Sequence, residues 1–278
     1  MSNRWSRRRR REAAKRGAVL AIVALAAFIA GVLFGLEVLG PTTGGTTTHG
    51  HAWTASTQEA SVRIAAVRSD GPGVICGLTV TIRPGTGKIF TDTRPLIGLD
   101  FQDSERIAVK VASKLTDVSL NENGGLVGAD VFFAVLPPAE GSVTIQAVDG
   151  PSAGAAMTVA TIAAIENKRV KENVIVTGTI REDGSIGPVG GIFEKAQAAN
   201  DYGAELFLVP RGQSKVTMYK EIVRQAGPFR FVTYEPVIVD LNTYAENAGW
   251  NIRIQEVSTI EEVLALMLEA PPTMEGQL

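Results

Sequence analysis

Residues 143–180, VTIQAVDGPSAGAAMTVATIAAIENKRVKENVIVTGTI, decide the fold class. VTIQAV (143–148) is β-prone, Asp149-Gly150-Pro151 is a turn, and the small apolar run after it predicts a helix over 152–166. NVIVTGTI (173–180) returns to a strand pattern. Upstream, VRIAAV (62–67) and GLTVTIRPG (77–85) read as strands, and Ile107, Val111 and Leu115 mark one face of a helix in SERIAVKVASKL (104–115). ADVFFAVLP (129–137) predicts another strand. Downstream, the turn-rich REDGSIGPVGG (181–191) leads into a helix over 192–203, ELFLVP (205–210) reads as a buried strand, and TIEEVLALMLEA (259–270) as an amphipathic helix with a Ser/Thr cap. Strands and helices alternate without a repeat, which predicts one α/β or α+β domain over 59–272, with a short tail at 273–278.

The remaining chain has a different composition. Residues 1–16 form a basic tail with Arg4, Arg7 to Arg11, Lys15 and Arg16 against Glu12 alone. Residues 17–36 carry no charged side chain, and 20 helical residues rise ~30 Å, the thickness of a bilayer's hydrocarbon core. This predicts an uncleaved transmembrane helix over 17–39, because a signal peptide has a shorter apolar run of about 7–15 residues. The flanking basic residues place the N-terminus in the cytoplasm and the domain outside it, in a single-pass arrangement. The basic run is read as a topology signal, so no nucleic-acid partner is expected. Residues 40–58, rich in Gly and Thr, read as a flexible linker.

The two histidines, His49 and His51, both lie in that linker. Without histidine, the domain cannot run Ser-His-Asp or Cys-His catalysis, and it lacks the usual nitrogen ligands of a catalytic zinc. No metal or cofactor is expected. Cys76, the single cysteine, reads as a small buried hydrophobe. RPGTGKIF (83–90) has the Gly-Lys of a phosphate loop, but Ile82 and Ile89 stand where the pattern needs Gly and Ser/Thr, so a turn is expected and no ATP site. What remains for a hydrolase is a hydroxyl with a lysine, a carboxylate pair, or metal-bound carboxylates.

Ser152 opens the small-residue helix, where backbone N–H groups and the dipole favour an oxyanion. The competing reading is a plain N-cap. Lys195 follows Gly190-Gly191 among Ile192, Phe193, Ala196 and Ala198. Burial there would favour a neutral amine able to act as a base; the competing reading is an exposed lysine paired with Glu194 or Asp201.

DGPSAG around Ser152, VTGTI, IGPVGGIFEKAQAA around Lys195, FLVP (207–210) and VSTIEEVLALML (257–268) resemble, in order and spacing, the active-site segments of Lon-type serine peptidases. The likeness runs over about 60–270 and is to the proteolytic domain of Lon proteases, in an archaeal membrane-type, Lon-like arrangement; the larger departure from the family is that no AAA+ ATPase module is expected before the domain. It implies a serine endopeptidase with Ser152 as nucleophile and Lys195 as general base. Thr177 would orient the lysine, and Asp149 would shape substrate access or contact the lysine. Gly150, Ala153 and Gly154 would serve the oxyanion and substrate approach. It also implies a homo-oligomer, by family habit a hexameric ring; with no unfolding motor and no ATP site expected in this sequence, the expected substrates are unfolded or loosely folded polypeptides, cleaved without ATP.

The sequence departs from the pattern where many relatives have TGE and this chain has Thr177-Gly178-Thr179. A further departure is the stretch 216–250, which looks like an insertion without an assignable role. Two other readings stay open: a catalytically silent adaptor on the same fold, and a signal-peptidase-like Ser-Lys protease.

Overall fold

A computed structural model describes residues 50–138, 145–227 and 229–269. The basic tail, the apolar segment 17–39, the first part of the spacer and the tail 273–278 lie outside the described residues. Among the described residues no helix is long and apolar enough to cross a membrane.

The largest sheet has the order β1-β2-β5-β3. Its strands β1 (Gln58–Val67), β2 (Gly73–Pro84) and β5 (Ala129–Leu136) are antiparallel neighbours, and β3 (Ile89–Thr91) joins β5 in parallel. Alternation fixes the register: Leu78, Val80 and Ile82 of β2 sit opposite Val135, Phe133 and Val131 of β5, and all six are buried on one face. The first core forms on that face beneath two helices, α1 (Leu99–Thr116) and α2 (Gly154–Glu166). Helix α2 is buried from Gly154 to Ala164, because its small and apolar residues leave no polar face to turn outward.

A second, parallel sheet has β10 (Leu206–Pro210) between β7 (Val174–Val176) and β13 (Arg253–Val257). Every residue of β10 is buried, as expected of a central parallel strand covered on both faces. Phe207 and Val209 pack with Ile192, Ala196 and Ala199 of α3 (Ile192–Tyr202), and with Leu241 and Ala245 of α4 (Leu241–Ala248). Helix α5 (Ile260–Met267) closes the first core and is capped by Thr259, whose hydroxyl accepts from Glu262 N. Three two-stranded pairs complete the fold: β4 (Leu96–Ile97) with β6 (Ala147–Val148), β8 (Thr179–Ile180) with β9 (Ile186–Gly187), and the hairpin β11 (Lys215–Ala226) with β12 (Phe229–Asp240). The fold is mixed α/β, and the unassigned stretch 216–250 is this hairpin followed by α4.

Two expectations change. The strand expected over 173–180 breaks at Thr177-Gly178 into β7 and β8. The described end of the spacer is held by the domain: His51 N donates to Asp117 O, Ser119 N to His51 O, and Trp53 N to Val127 O, at 2.8–2.9 Å. Trp53 itself is buried in the first core. The Gly-Lys turn at 85–88 is a connector, as expected, with Thr86 N and Lys88 N both donating to Asp130 Oδ1 at 2.9 Å.

Truncating Trp53 to alanine should therefore destabilise the protein by ~3 kcal/mol, at the low end for a buried tryptophan because its Nε1 has no partner to lose. Urea unfolding measures this. A shift below about 0.5 kcal/mol would mean the segment is a true spacer.

Candidate active site

The turn before α2 is built on Gly150, whose φ of 99° and ψ of 149° suit glycine and no other common residue. Gly150 N donates to Asp149 Oδ1 at 2.8 Å, and the space above its Cα is open. A single 3₁₀ turn, Pro151–Ala153, then carries Ser152, half-buried, into the helix, with Ala153 as the buried N-cap residue. Neither turn nor helix uses a side chain as a cap. The amides of Gly154 and Ala155 bond instead to Pro151 O and Gly178 O. The Ser152 hydroxyl is thus spared the N-cap role that its position suggested.

Gly154 differs from the expectation that it leaves room for a peptide. A Cβ there would lie 2.7 Å from Ile180 Cγ2 and 2.9 Å from Ile180 N, so this glycine lets α2 approach β8. Of the residues expected to serve substrate approach, Gly150 is the one facing open space.

The strand break brings Thr177 to this turn. Thr177 N still bonds to Leu208 O at 3.0 Å, continuing the pairing with β10, whereas Gly178 N donates to Ser152 O at 2.9 Å and Gly178 O accepts from Ala155 N at 3.1 Å. Thr177 Oγ1 adds a bond to the same Ser152 carbonyl at 3.3 Å. Alternation in the sequence could not reveal this, because the backbone partner lies 25 residues away.

Lys195 arrives from the other side on the first turn of α3. It is 4% exposed, and Nζ donates to Thr177 Oγ1 at 3.3 Å. The pairing with Glu194 or Asp201 that the local sequence allowed is not made; among the described residues no carboxylate lies within ion-pair distance of Nζ. Burial lowers the lysine to about 8 from 10.5, and the charge of Glu194 offsets only part of this. Ser152 Oγ and Lys195 Nζ make no direct hydrogen bond among the described residues; both segments converge on Thr177. Asp149, by contrast, is engaged with its own turn and is packed against Gly98.

Two other groups are shifted by burial alone or mainly so. Cys76 is 1% exposed, and its thiol is pushed up to about 11, which leaves it a small hydrophobe as expected. Glu105 of α1 is raised to about 7 although Thr91 Oγ1 donates to its Oε2, because burial outweighs that bond and the nearby Arg106. Sequence reading missed Glu105, since a charged residue in an amphipathic helix is ordinarily exposed.

Because the folded state holds Lys195 below its unfolded value, it binds fewer protons than the unfolded chain between pH 8 and 10.5, and stability rises with pH across that window. Replacing Lys195 with methionine should raise stability at pH 7 by up to roughly 3 kcal/mol, with the difference vanishing near pH 10.5. Unfolding midpoints from pH 7 to 10.5 measure this. Parallel curves for the two proteins would contradict burial of the charged amine.

The family model for the Lon protease (S16) C-terminal proteolytic domain matches residues 73–240. The Lon protease of Haemophilus influenzae is 35% identical over 124 residues, 45% of this chain and 12% of that protein. The Lon protease of Vibrio parahaemolyticus is 30% identical over 190 residues, 68% of this chain and 20% of that protein. For the Lon protease of Fervidobacterium nodosum the figures are 32% over 160 residues, 57% and 18%. The chain therefore spans only about an eighth to a fifth of the length of these relatives. With the match reaching from β2 through the Ser152 turn, Thr177 and Lys195 to the end of β12, this chain belongs to the Lon protease (S16) C-terminal proteolytic domain family.

Proposed function

We propose that this protein is a membrane-anchored serine endopeptidase that cleaves unfolded or loosely folded polypeptides through a Ser152/Lys195 dyad, without ATP and as a homo-oligomer. The observation that carries the chemistry is the burial of Lys195 Nζ on Thr177 Oγ1, with the Ser152 turn bonded to the same threonine. With a value of about 8, roughly one lysine in ten is neutral at pH 7, against about one in three thousand for an ordinary lysine. The neutral amine takes the proton from Ser152 Oγ as that oxygen attacks the scissile carbonyl carbon. Collapse of the tetrahedral intermediate breaks the C–N bond, and Lys195 returns the proton to the leaving amine. Water, deprotonated by the same lysine, then attacks the ester on Ser152; the C–O bond to Oγ breaks as Lys195 returns that proton to Ser152, and the new carboxylate is released.

Thr177 is a positioning residue. It holds Nζ and the Ser152 backbone together, a role for which its buried hydroxyl is well placed. The oxyanion is served by the backbone N–H of Ser152 itself, since Pro151 has no N–H and the amides of Gly150, Gly154 and Ala155 are already used. Gly150 offers the open approach.

The anchor rests on the uncharged run 17–36 behind a basic tail, which favours a cytoplasmic N-terminus and an extracytoplasmic peptidase domain. Independence of ATP is supported by the Gly-Lys turn, which has Ile82 and Ile89 where a phosphate loop needs Gly and Ser/Thr and gives its Thr86 and Lys88 amides to Asp130.

The full chain should cleave casein without ATP. Ser152→Ala and Lys195→Ala should each lower the rate by at least about 10³-fold. The wild-type rate should rise with pH to half its maximum near pH 8. Thr177→Val should lower kcat about tenfold with little change in KM, as expected when a positioning bond is lost. A folded wild type that binds casein without cleaving it, with or without ATP, would favour the silent adaptor. The same protein should stay with the membrane through carbonate extraction; release would remove the anchor.

A further inference from the structure

The hairpin β11–β12 is a sheet by itself. Its twelve-residue strands pair with each other from Lys215↔Asp240 to Ala226↔Phe229, and no other described strand pairs with either outer edge. Directly opposed residues share a face. Phe231 opposite Arg224 therefore lies on one side, and Ile238 opposite Thr217, with Tyr234 opposite Glu221, on the other. Both sides present large apolar groups to solvent: Ile238 is 74% exposed, Tyr219 69%, Phe229 66%, Tyr234 61% and Phe231 56%. A lone two-stranded ribbon is marginal in water, and long apolar edges invite association. This ribbon has the composition of something covered.

We propose that β11–β12 is an intersubunit arm that docks on a second copy of this chain. The inference rests on the homo-oligomeric part of the reading above, and not on its chemistry. The dimensions match such a partner: twelve residues extend ~40 Å, and a ribbon about 10 Å wide offers roughly 800 Å² over its two faces, which is the share one partner gives to a stable protein interface.

Charge argues for protein over lipid. Lys220 faces Glu235 across one side, and Arg230 lies 3.7 Å from Glu221 on the other. Sinking both glutamates into a bilayer would strip the hydration from two carboxylates, which a hydrocarbon core cannot replace. A mixed, nearly balanced surface can instead meet another copy of itself without repulsion.

Docking would also reach the site. The root of β11, at Val216 and Met218, forms one wall of a cleft of about 510 Å³ whose other wall is Gly191–Glu194, the start of the helix that carries Lys195. Gln213 ties this root to the preceding loop, donating to Val189 O at 2.7 Å and accepting from Val189 N at 2.9 Å. An arm fixed by a neighbour would hold β11 in place against that helix start.

The test uses the full chain in mild detergent, with mass measured by sedimentation velocity. Wild type and Ser152→Ala should both be oligomers, whereas Phe231→Glu combined with Tyr234→Glu should shift to a smaller species with an unchanged circular dichroism spectrum. Loss of cleavage by Ser152→Ala at unchanged mass separates the peptidase reading from this one. A second variant covers the case in which the glutamates unfold the ribbon. Since Cys76 is buried, Ile238→Cys provides a single reactive thiol, which should be alkylated at least tenfold more slowly in the oligomer than after dilution to the monomer. A monomeric wild type, an unchanged mass in the folded double variant, or alkylation at equal rates in both states would overturn the proposal. So would a double variant of unchanged mass that loses binding to anionic vesicles, pointing to a bilayer contact, or that raises KM for casein, pointing to a substrate surface.

Discussion

The arrangement depends on a buried amine held by one neutral hydroxyl. Lys195 Nζ has Thr177 Oγ1 as its only hydrogen-bond partner among the described residues, and no charge within ion-pair distance compensates it. Such a group lowers stability in its charged form, so its surroundings must be firm enough to hold it in place. The firmness comes from both cores. Lys195 stands on α3, whose Ala196 and Ala199 are fully buried against the parallel sheet, while Thr177 continues from the central strand pairing through its bond to Leu208 O. The amine's solvent is thus replaced by packed aliphatic groups, which shifts it towards neutrality.

The second constraint is the stitch between two chain breaks. Helix α2 would begin with unsatisfied amides, and the strand after Val176 would continue past the sheet; each break supplies what the other lacks. Gly178 gives its carbonyl to Ala155 N and its amide to Ser152 O, so the helix start is fixed without the serine side chain. Ser152 is left with an uncommitted hydroxyl at the mouth of an open, glycine-built turn. Burial of α2 on every face fixes the position of that turn, since any shift of the helix would open voids against α1 and the large sheet.

Much of this was legible in the chain, for particular reasons. The helix over 152–166 and the strands around Leu78 and Val131 follow from apolar periodicity, and Ser152 and Lys195 stood out because turn glycines precede both. The break at Thr177 was hidden, since VIVTGTI alternates as well as any strand and the bonds that divide it come from a distant turn. The burial of Lys195 was half legible: its apolar neighbours Ile192, Phe193 and Ala196 suggested it, while Glu194 and Asp201 give its helix the look of a solvent face. Trp53 was masked by the Gly/Thr-rich composition around it, which describes the linker but not its anchoring residue. The ribbon 215–240 escaped assignment because apolar residues fall on both of its sides, a pattern that follows from no single buried face.

The most direct test of the account is to treat the protein with a serine-reactive fluorophosphonate and locate the adduct by peptide mass spectrometry over a range of pH. The account predicts one adduct, on Ser152, forming at a rate that rises with pH to half its maximum near pH 8 and falls away when Lys195 is replaced by methionine. An adduct on another residue, or labelling of Ser152 that is indifferent to pH and to Lys195, would contradict the claim that the buried amine activates this serine.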